Sequence, residues 1–265
     1  MIGRVGMSKK PYVLLSFDIE EFDIPEEYGQ KIAESTQIEV SLLGLKSLLN
    51  LLEPLDIKVT FFTTANFALQ NQSLVQEIAR KHEIASHGFY HSSFNVEDLK
   101  KSKQVLSAIS MQPVSGFRMA RLKPVDEQEI VKAGYRYNSS LNPTYIPGRY
   151  NHFFKPRTAT YANNLFNIPV SVTPLVRFPL FWLSFKNFPL FIIKLASQVT
   201  LNHDTYLSLY FHPWEFTNIT HFNLPFYIKR SSGKKMLTKL EDYLRWLKRK
   251  AEFITFSEFT NKFNQ

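Results

Sequence analysis

Cysteine is absent from all 265 residues. Disulfides and thiolate metal sites are thereby excluded, and any bound metal must be held by His, Asp, Glu or water. Uninterrupted apolar runs of membrane-spanning length are also missing. The greasiest stretch, 175–196, carries Arg177, Lys186 and Lys194 and contains Pro179 and Pro189, which makes it a poor transmembrane helix. Residues 1–10 are charged and have no apolar h-region before Pro11, so no secretory leader is expected. The default location is the cytoplasm, including the inner membrane face. No internal repeat, low-complexity tract or clear linker divides the chain.

The length suits one large α/β domain or two small ones. A formal net charge of +9 means either a solvated basic surface or an affinity for anions such as a glycan, a nucleic acid or an anionic membrane face. No basic-aromatic motif supports a nucleic-acid partner, and none is expected.

Strand-like and helix-like segments alternate, which argues for parallel β/α architecture. The run Tyr12-Val13-Leu14-Leu15 reads as a buried strand. Ile38, Leu42, Leu45, Leu49 and Leu52 recur at steps of three and four, giving a helix with one apolar face that Pro54 helps to end. Segment 57–64 is β-branched and aromatic, a buried strand. Further strands are expected at 83–86, 114–118, 135–140, 165–172, 205–211 and 253–256. Helices are expected at 74–81, 96–110 and 124–133, the last with Gly134 beyond its end, and along Leu237, Leu240, Leu244 and Leu247. Seven or eight such units without a boundary predict a single distorted (β/α)7–8 barrel over 1–265. Such barrels put their chemistry at the C-terminal ends of the strands.

Ser16-Phe17-Asp18-Ile19-Glu20-Glu21-Phe22-Asp23 follows the first strand. Side chains two apart share a face of a strand, so Asp18 and Glu20 should project together. Two carboxylates there cost solvation energy unless something cationic joins them. His87 and His91 are the obvious partners. Their four-residue step would put both rings on one side of a helical turn. A hard carboxylate and two imidazoles suit a divalent ion, zinc foremost.

The order of these segments resembles the polysaccharide deacetylase family, also known as the NodB-homology or carbohydrate esterase family 4 group. Ser16-Phe17-Asp18 is similar to its first motif, and 83–91, Glu-Ile-Ala-Ser-His-Gly-Phe-Tyr-His, to its His-x-x-x-His motif. Gly116-Phe117-Arg118 looks like the third, Tyr135-Arg136-Tyr137-Asn138-Ser139-Ser140 the fourth, and Leu209-Tyr210-Phe211-His212-Pro213-Trp214-Glu215 the last. The motifs run in order across about 12–215. The resemblance implies a NodB-type barrel that hydrolyses an acetamide or ester. It gives Glu20, His87 and His91 to the metal, Asp18 to the general base, Arg118 to steadying Asp18, and His212 to the general acid. Three departures stand out. The second acid comes two residues after Asp18, as in an Asp-x-Glu subgroup linked to exopolysaccharide synthesis, and Glu21 is the alternative ligand, with strand alternation favouring Glu20. Met119-Ala120-Arg121 replaces the usual residues after the third-motif Arg, which moves the expected oxyanion-binding N–H to about Arg121. Asn138 stands where the family has Asp.

The implied function is removal of N-acetyl or O-acetyl groups from a glycan in envelope or exopolysaccharide metabolism. Hydrolysis of a small linear or cyclic amide on the same fold is the alternative; an open groove would favour the first and a closed pocket the second. A catalytically silent glycan- or membrane-binding protein is a third reading, against which stand the complete ligand set and both acid/base residues. Trp214 could stack on a sugar face. Stretch 175–196 either packs as core or lies on a membrane as an aromatic-basic surface, with Trp182 and Phe185 among its anchors.

Overall fold

A computed structural model describes residues 10–263. Residues 1–9, read above for a leader, lie outside the described part. The strands are β1 (Tyr12–Ile19), β2 (Thr60–Thr63), β3 (Glu83–Ser86), β4 (Gly116–Phe117), β5 (Tyr137–Asn138), β6 (Tyr145–Ile146), β7 (Tyr150–Asn151), β8 (Thr160–Ala162), β9 (Leu165–Asn167), β10 (Tyr206–Phe211) and β11 (Glu252–Phe253). The helices are α1 (Glu34–Leu55), α2 (Ala65–Gln70), α3 (Gln72–Ala79), α4 (Glu97–Ser110), α5 (Glu127–Lys132), α6 (Trp182–Asn187), α7 (Leu190–Asp204), α8 (Phe226–Lys229), α9 (Lys234–Lys248) and α10 (Phe256–Phe263).

The expected barrel is present. Strands β10, β1, β2, β3, β4, β5 and β9 lie side by side, all parallel. β11 adds to the start of β1, and β8 lies antiparallel outside β9. The gap between β9 and β10 is spanned by the chain after β9: the Ser171 N–H donates to the Ser208 carbonyl, and the Ser208 N–H to the Ser171 hydroxyl, each at 2.9 Å. Several strands are shorter than their hydrophobic runs suggest. Just past the short β4 and β5, the Arg118 and Ser139 N–H groups still donate to the Ser86 and Phe117 carbonyls, each at 2.9 Å, and 168–172 is tied to its neighbours by isolated bonds rather than a regular ladder.

Alternation along β1 sorts two environments. Val13, Leu15, Phe17 and Ile19 face the helical layer and join the main core with α1. Leu14, Ser16 and Asp18 face the barrel interior. Phe62, Tyr137, Phe256 and Phe259 plug the interior from below, with α10 as the stopper. That stopper is pinned by Glu83, which accepts from Thr60, Tyr137 and the Ser257 N–H and hydroxyl. Arg118 lies above the plug, its guanidinium 4.0 Å from the Phe62 ring centre.

Two local expectations change. Pro54 lies inside α1, which runs one residue further and stops at Asp56 in the left-handed region. Segment 175–196 does not behave as one surface. Leu180, Phe181, Phe185, Lys186 and Ile193 are buried, and Leu175, Val176, Phe188, Phe191 and Leu195 are exposed. Trp182 is half-buried and Phe185 is core, so neither is a free anchor. Among the described residues, no helix is long and apolar enough to cross a membrane.

Candidate metal centre

His87 leaves β3, and His91 follows in a loop rather than on the expected helical turn. Gly88, at φ +86°, turns the chain. The Glu20 Oε2 atom lies 3.1 Å from Nε2 of both rings. The ligand atoms of Glu20, His87 and His91 fall within 4.8 Å of one another, and all three residues are buried. The His87 Nδ1 atom faces the Arg118 carbonyl at 2.9 Å, an acceptor only, so it carries the proton. The His91 Nδ1 faces the Asp23 carboxylate at 2.7 Å. With both Nδ1 protons so committed, neutral rings turn two lone pairs toward a carboxylate. A cation between them resolves the clash, and this donor set fits a divalent ion with N and O ligands.

The electrostatics show the same demand for positive charge beside Glu20. Burial would raise the Glu20 pKa, but His91, His212 and His87 hold it well below the usual carboxylate range. Burial works against charge on His91, yet Glu20 and Asp23 raise its pKa overall. Glu21 faces elsewhere: it accepts from the Asn66 amide at 2.7 Å and from the His91 N–H at 3.2 Å. It fixes the loop, and Glu20 alone meets both imidazoles.

Asp18 ends β1 beside Arg118, with 2.5 Å between Oδ1 and Nη1. Arg118 is wholly buried and has its other donors engaged by the Ser16 hydroxyl and by the carbonyl and hydroxyl of Ser139. The Asp18 carboxylate is therefore held by a buried partner that is itself fixed by three further hydrogen bonds. Asn138 takes no part in that pair. Its Oδ1 accepts from Ser140, and its amide donates to Asn167.

His212 ends β10. Its Nδ1 meets Glu215 Oε1 at 3.1 Å, and its Nε2 points back toward Glu20, 3.9 Å away. Burial opposes charge on this ring, but Glu20, Glu215 and Asp18 raise its pKa. Glu215 sits on the turn 213–216, fully buried, and its second oxygen lies 3.6 Å from the buried Lys186 Nζ. Trp214 is 1 % exposed, stacks on His212 at 4.8 Å and donates its N–H to Glu20 Oε1 at 3.0 Å. It acts within the site wall, not as an open sugar platform. Arg121, φ +56°, bonds Asp23, Glu27 and the His91 carbonyl.

These groups share a cavity of about 100 Å³. Its walls include Ile24 and Glu27, Ile146 and Tyr150 of the β6–β7 hairpin, Leu183 of α6 and Tyr227 of α8. Five of the six site residues read from the sequence line it, and the sixth, Arg118, lies wholly buried behind Asp18. Three supporting groups escaped that reading: Asp23, Glu215 and Lys186. The first two had signals, one in the unusual acid density of 18–23, the other in the three-residue step from His212. Lys186 had none, because its stretch reads as a basic surface.

Residues 43–137 match the family model described as polysaccharide deacetylase. The match takes in His87, His91 and Arg118 and leaves Asp18, Glu20 and His212 outside. No curated protein sequence matches. Solved structures do. A Mycobacterium smegmatis protein assigned as a polysaccharide deacetylase shares 16% identity over 97% of this chain and 91% of its own, TM-score 0.66. A Pseudomonas aeruginosa protein with the same assignment shares 14% over 93% and 88%, TM-score 0.67. Puue allantoinase shares 14% over 93% and 88%, TM-score 0.63. At such identities the structures speak for the fold. The family model over 43–137 and the shared fold agree with the motifs, and by both the chain is similar to proteins of the polysaccharide deacetylase type.

Proposed function

We propose that the chain is a metal-dependent hydrolase that removes acetyl groups from an N-acetylated glycan unit, in envelope or exopolysaccharide metabolism. The observation that carries this reading is Glu20 Oε2 held 3.1 Å from two imidazole Nε2 atoms whose Nδ1 atoms are both engaged. A divalent ion bound there, zinc by the ligand chemistry, would lower the pKa of a water and polarise the acetyl carbonyl. Asp18 takes the proton of the attacking water, and Arg118 keeps its carboxylate in place. His212 gives its Nε2 proton to the departing amine nitrogen, since an amide nitrogen does not leave as an anion. Glu215 holds the ring so that Nε2 faces the cavity.

The small cavity of about 100 Å³ favours a second reading, hydrolysis of a small linear or cyclic amide. The two are separated by product. Acetate released from N-acetylated sugars supports the first; ring opening of a cyclic amide without acetate supports the second. His91→Ala should lose bound metal and nearly all turnover, and Asp18→Asn should keep the metal and lose a factor of roughly 10² or more. Full activity of His91→Ala, or a metal-free Asp18→Asn, sinks the assignment of roles.

A further inference from the structure

A second feature lies beside the site and takes no part in its chemistry. Helix α7 presents Phe191, Leu195 and Val199 to solvent, 70%, 65% and 45% exposed. They are spaced four apart, so they form one stripe on one face. The stripe continues past the helix start to Phe188, and Phe226 of α8 is 70% exposed. Between α6, α7, α8 and α9 lies a groove of about 530 Å³, lined by Phe188, Arg230, Lys235 and Lys239, with Asp242 as its acid.

The cations of this groove crowd one another. Lys239 is held down to about 8, by burial first and then by Arg230 and Lys235. Its ammonium donates to the carbonyls of Phe185 and Phe188, and the Arg230 guanidinium stands 5.8 Å from the Phe226 ring centre. The groove thus carries more positive than negative charge, Phe188 lines it, Phe226 adjoins it through Arg230, and Leu190 at the start of α7 joins the exposed stripe to its rim. Its edge touches the candidate site: the Asn187 amide donates to the Tyr227 carbonyl at 2.9 Å, and Tyr227 lines the site cavity.

We infer that this face docks on an anionic phospholipid bilayer, with lipid phosphates against Arg230, Lys235 and Lys239 and the side chains of Phe188, Phe191, Leu195 and Phe226 in the interface. Aromatic and aliphatic groups flanked by cations match the headgroup boundary, where both are satisfied at one depth. A protein partner fits less well, since protein interfaces are depleted in lysine. Docking there brings the cavity mouth to the lipid surface, where a substrate with an acyl or prenyl tail would present its polar head.

Flotation with phosphatidylglycerol-containing vesicles tests this, against phosphatidylcholine vesicles alone. The full chain should float with the anionic vesicles at low salt and lose about tenfold in affinity when ionic strength rises to about 0.5 M. Phe191→Ser with Phe226→Ser should weaken binding about tenfold. Arg230→Glu with Lys235→Glu should weaken it by more than tenfold, at roughly fivefold per cation. Both pairs are surface changes and should melt like the parent. The inference is overturned by no binding to anionic vesicles, by equal binding to neutral ones, or by binding that both pairs leave intact. It is also overturned if the same pairs dissolve a concentration-dependent dimer while vesicle binding is absent. None of these readouts uses turnover, so they stand or fall apart from the hydrolase reading.

Discussion

Two residues outside the ligand set show how single side chains tune this molecule. Asp23 accepts the His91 Nδ1 proton and is itself held by Arg121 at 2.9 Å. It sets which nitrogen of His91 is free to bind a metal, so Asp23→Asn should weaken metal affinity about 10- to 100-fold, read by competition with a chromogenic chelator. Affinity equal to the parent would mean that His91 is oriented without it. His82 tells on stability instead. Its Nδ1 has no partner, its ring packs edge-on against Phe61, and burial, with Lys81 nearby, lowers its pKa from 6.5 to about 4. Between those values the unfolded chain takes a proton that the folded chain refuses. Its contribution is therefore whole above 6.5 and declines as pH falls toward 4. His82→Gln should shrink the drop in Tm between about pH 7 and about pH 5; an unchanged drop would show that His82 is not the group responsible.

At the scale of elements, the site depends on contacts that deliver a turn to the right place. Helix α1 packs against the turn 213–216, which carries Trp214 to Glu20 and Glu215 to His212. Gly44 makes that approach possible: a Cβ there would lie 1.9 Å from the Pro213 carbonyl oxygen and 2.6 Å from its carbon. Gly44→Ala should cost about 1–3 kcal/mol of stability and reduce turnover, because the turn must move away from both partners. A variant that melts and turns over like the parent would refute this coupling. The sequence could not show it, since one glycine among the apolar positions of α1 carries no sign of what lies across from it. The histidine pair was legible for a different reason than its spacing suggested. Four residues bring the rings together through a loop bent at Gly88, with the Arg118 carbonyl and Asp23 aiming each ring.

Across the whole molecule, the barrel and its working rim were readable because β/α alternation and ordered motifs are local patterns that sum. The buried charge pair of Lys186 and Glu215 was not, because a lysine inside an apolar stretch reads the same whether it ends in solvent or against a carboxylate. The outer wall of the site was equally hidden. It is assembled from four separated segments, the turn at Ile24–Tyr28, the β6–β7 hairpin, α6 and α8, which meet only in the fold. Together they leave a cavity of about 100 Å³, against roughly 300–1,000 Å³ for pockets that enclose a drug-sized ligand. An acetamido group fits such a space, and a polymer threaded through it does not. The substrate should therefore enter end-on and present one terminal unit. kcat/KM for acetate release should be flat from a single N-acetylated sugar to longer oligomers, and internal acetyl groups should stay in place. A steady rise in kcat/KM with chain length would instead demand an extended groove with further sugar subsites, for which a cavity of this size has no room.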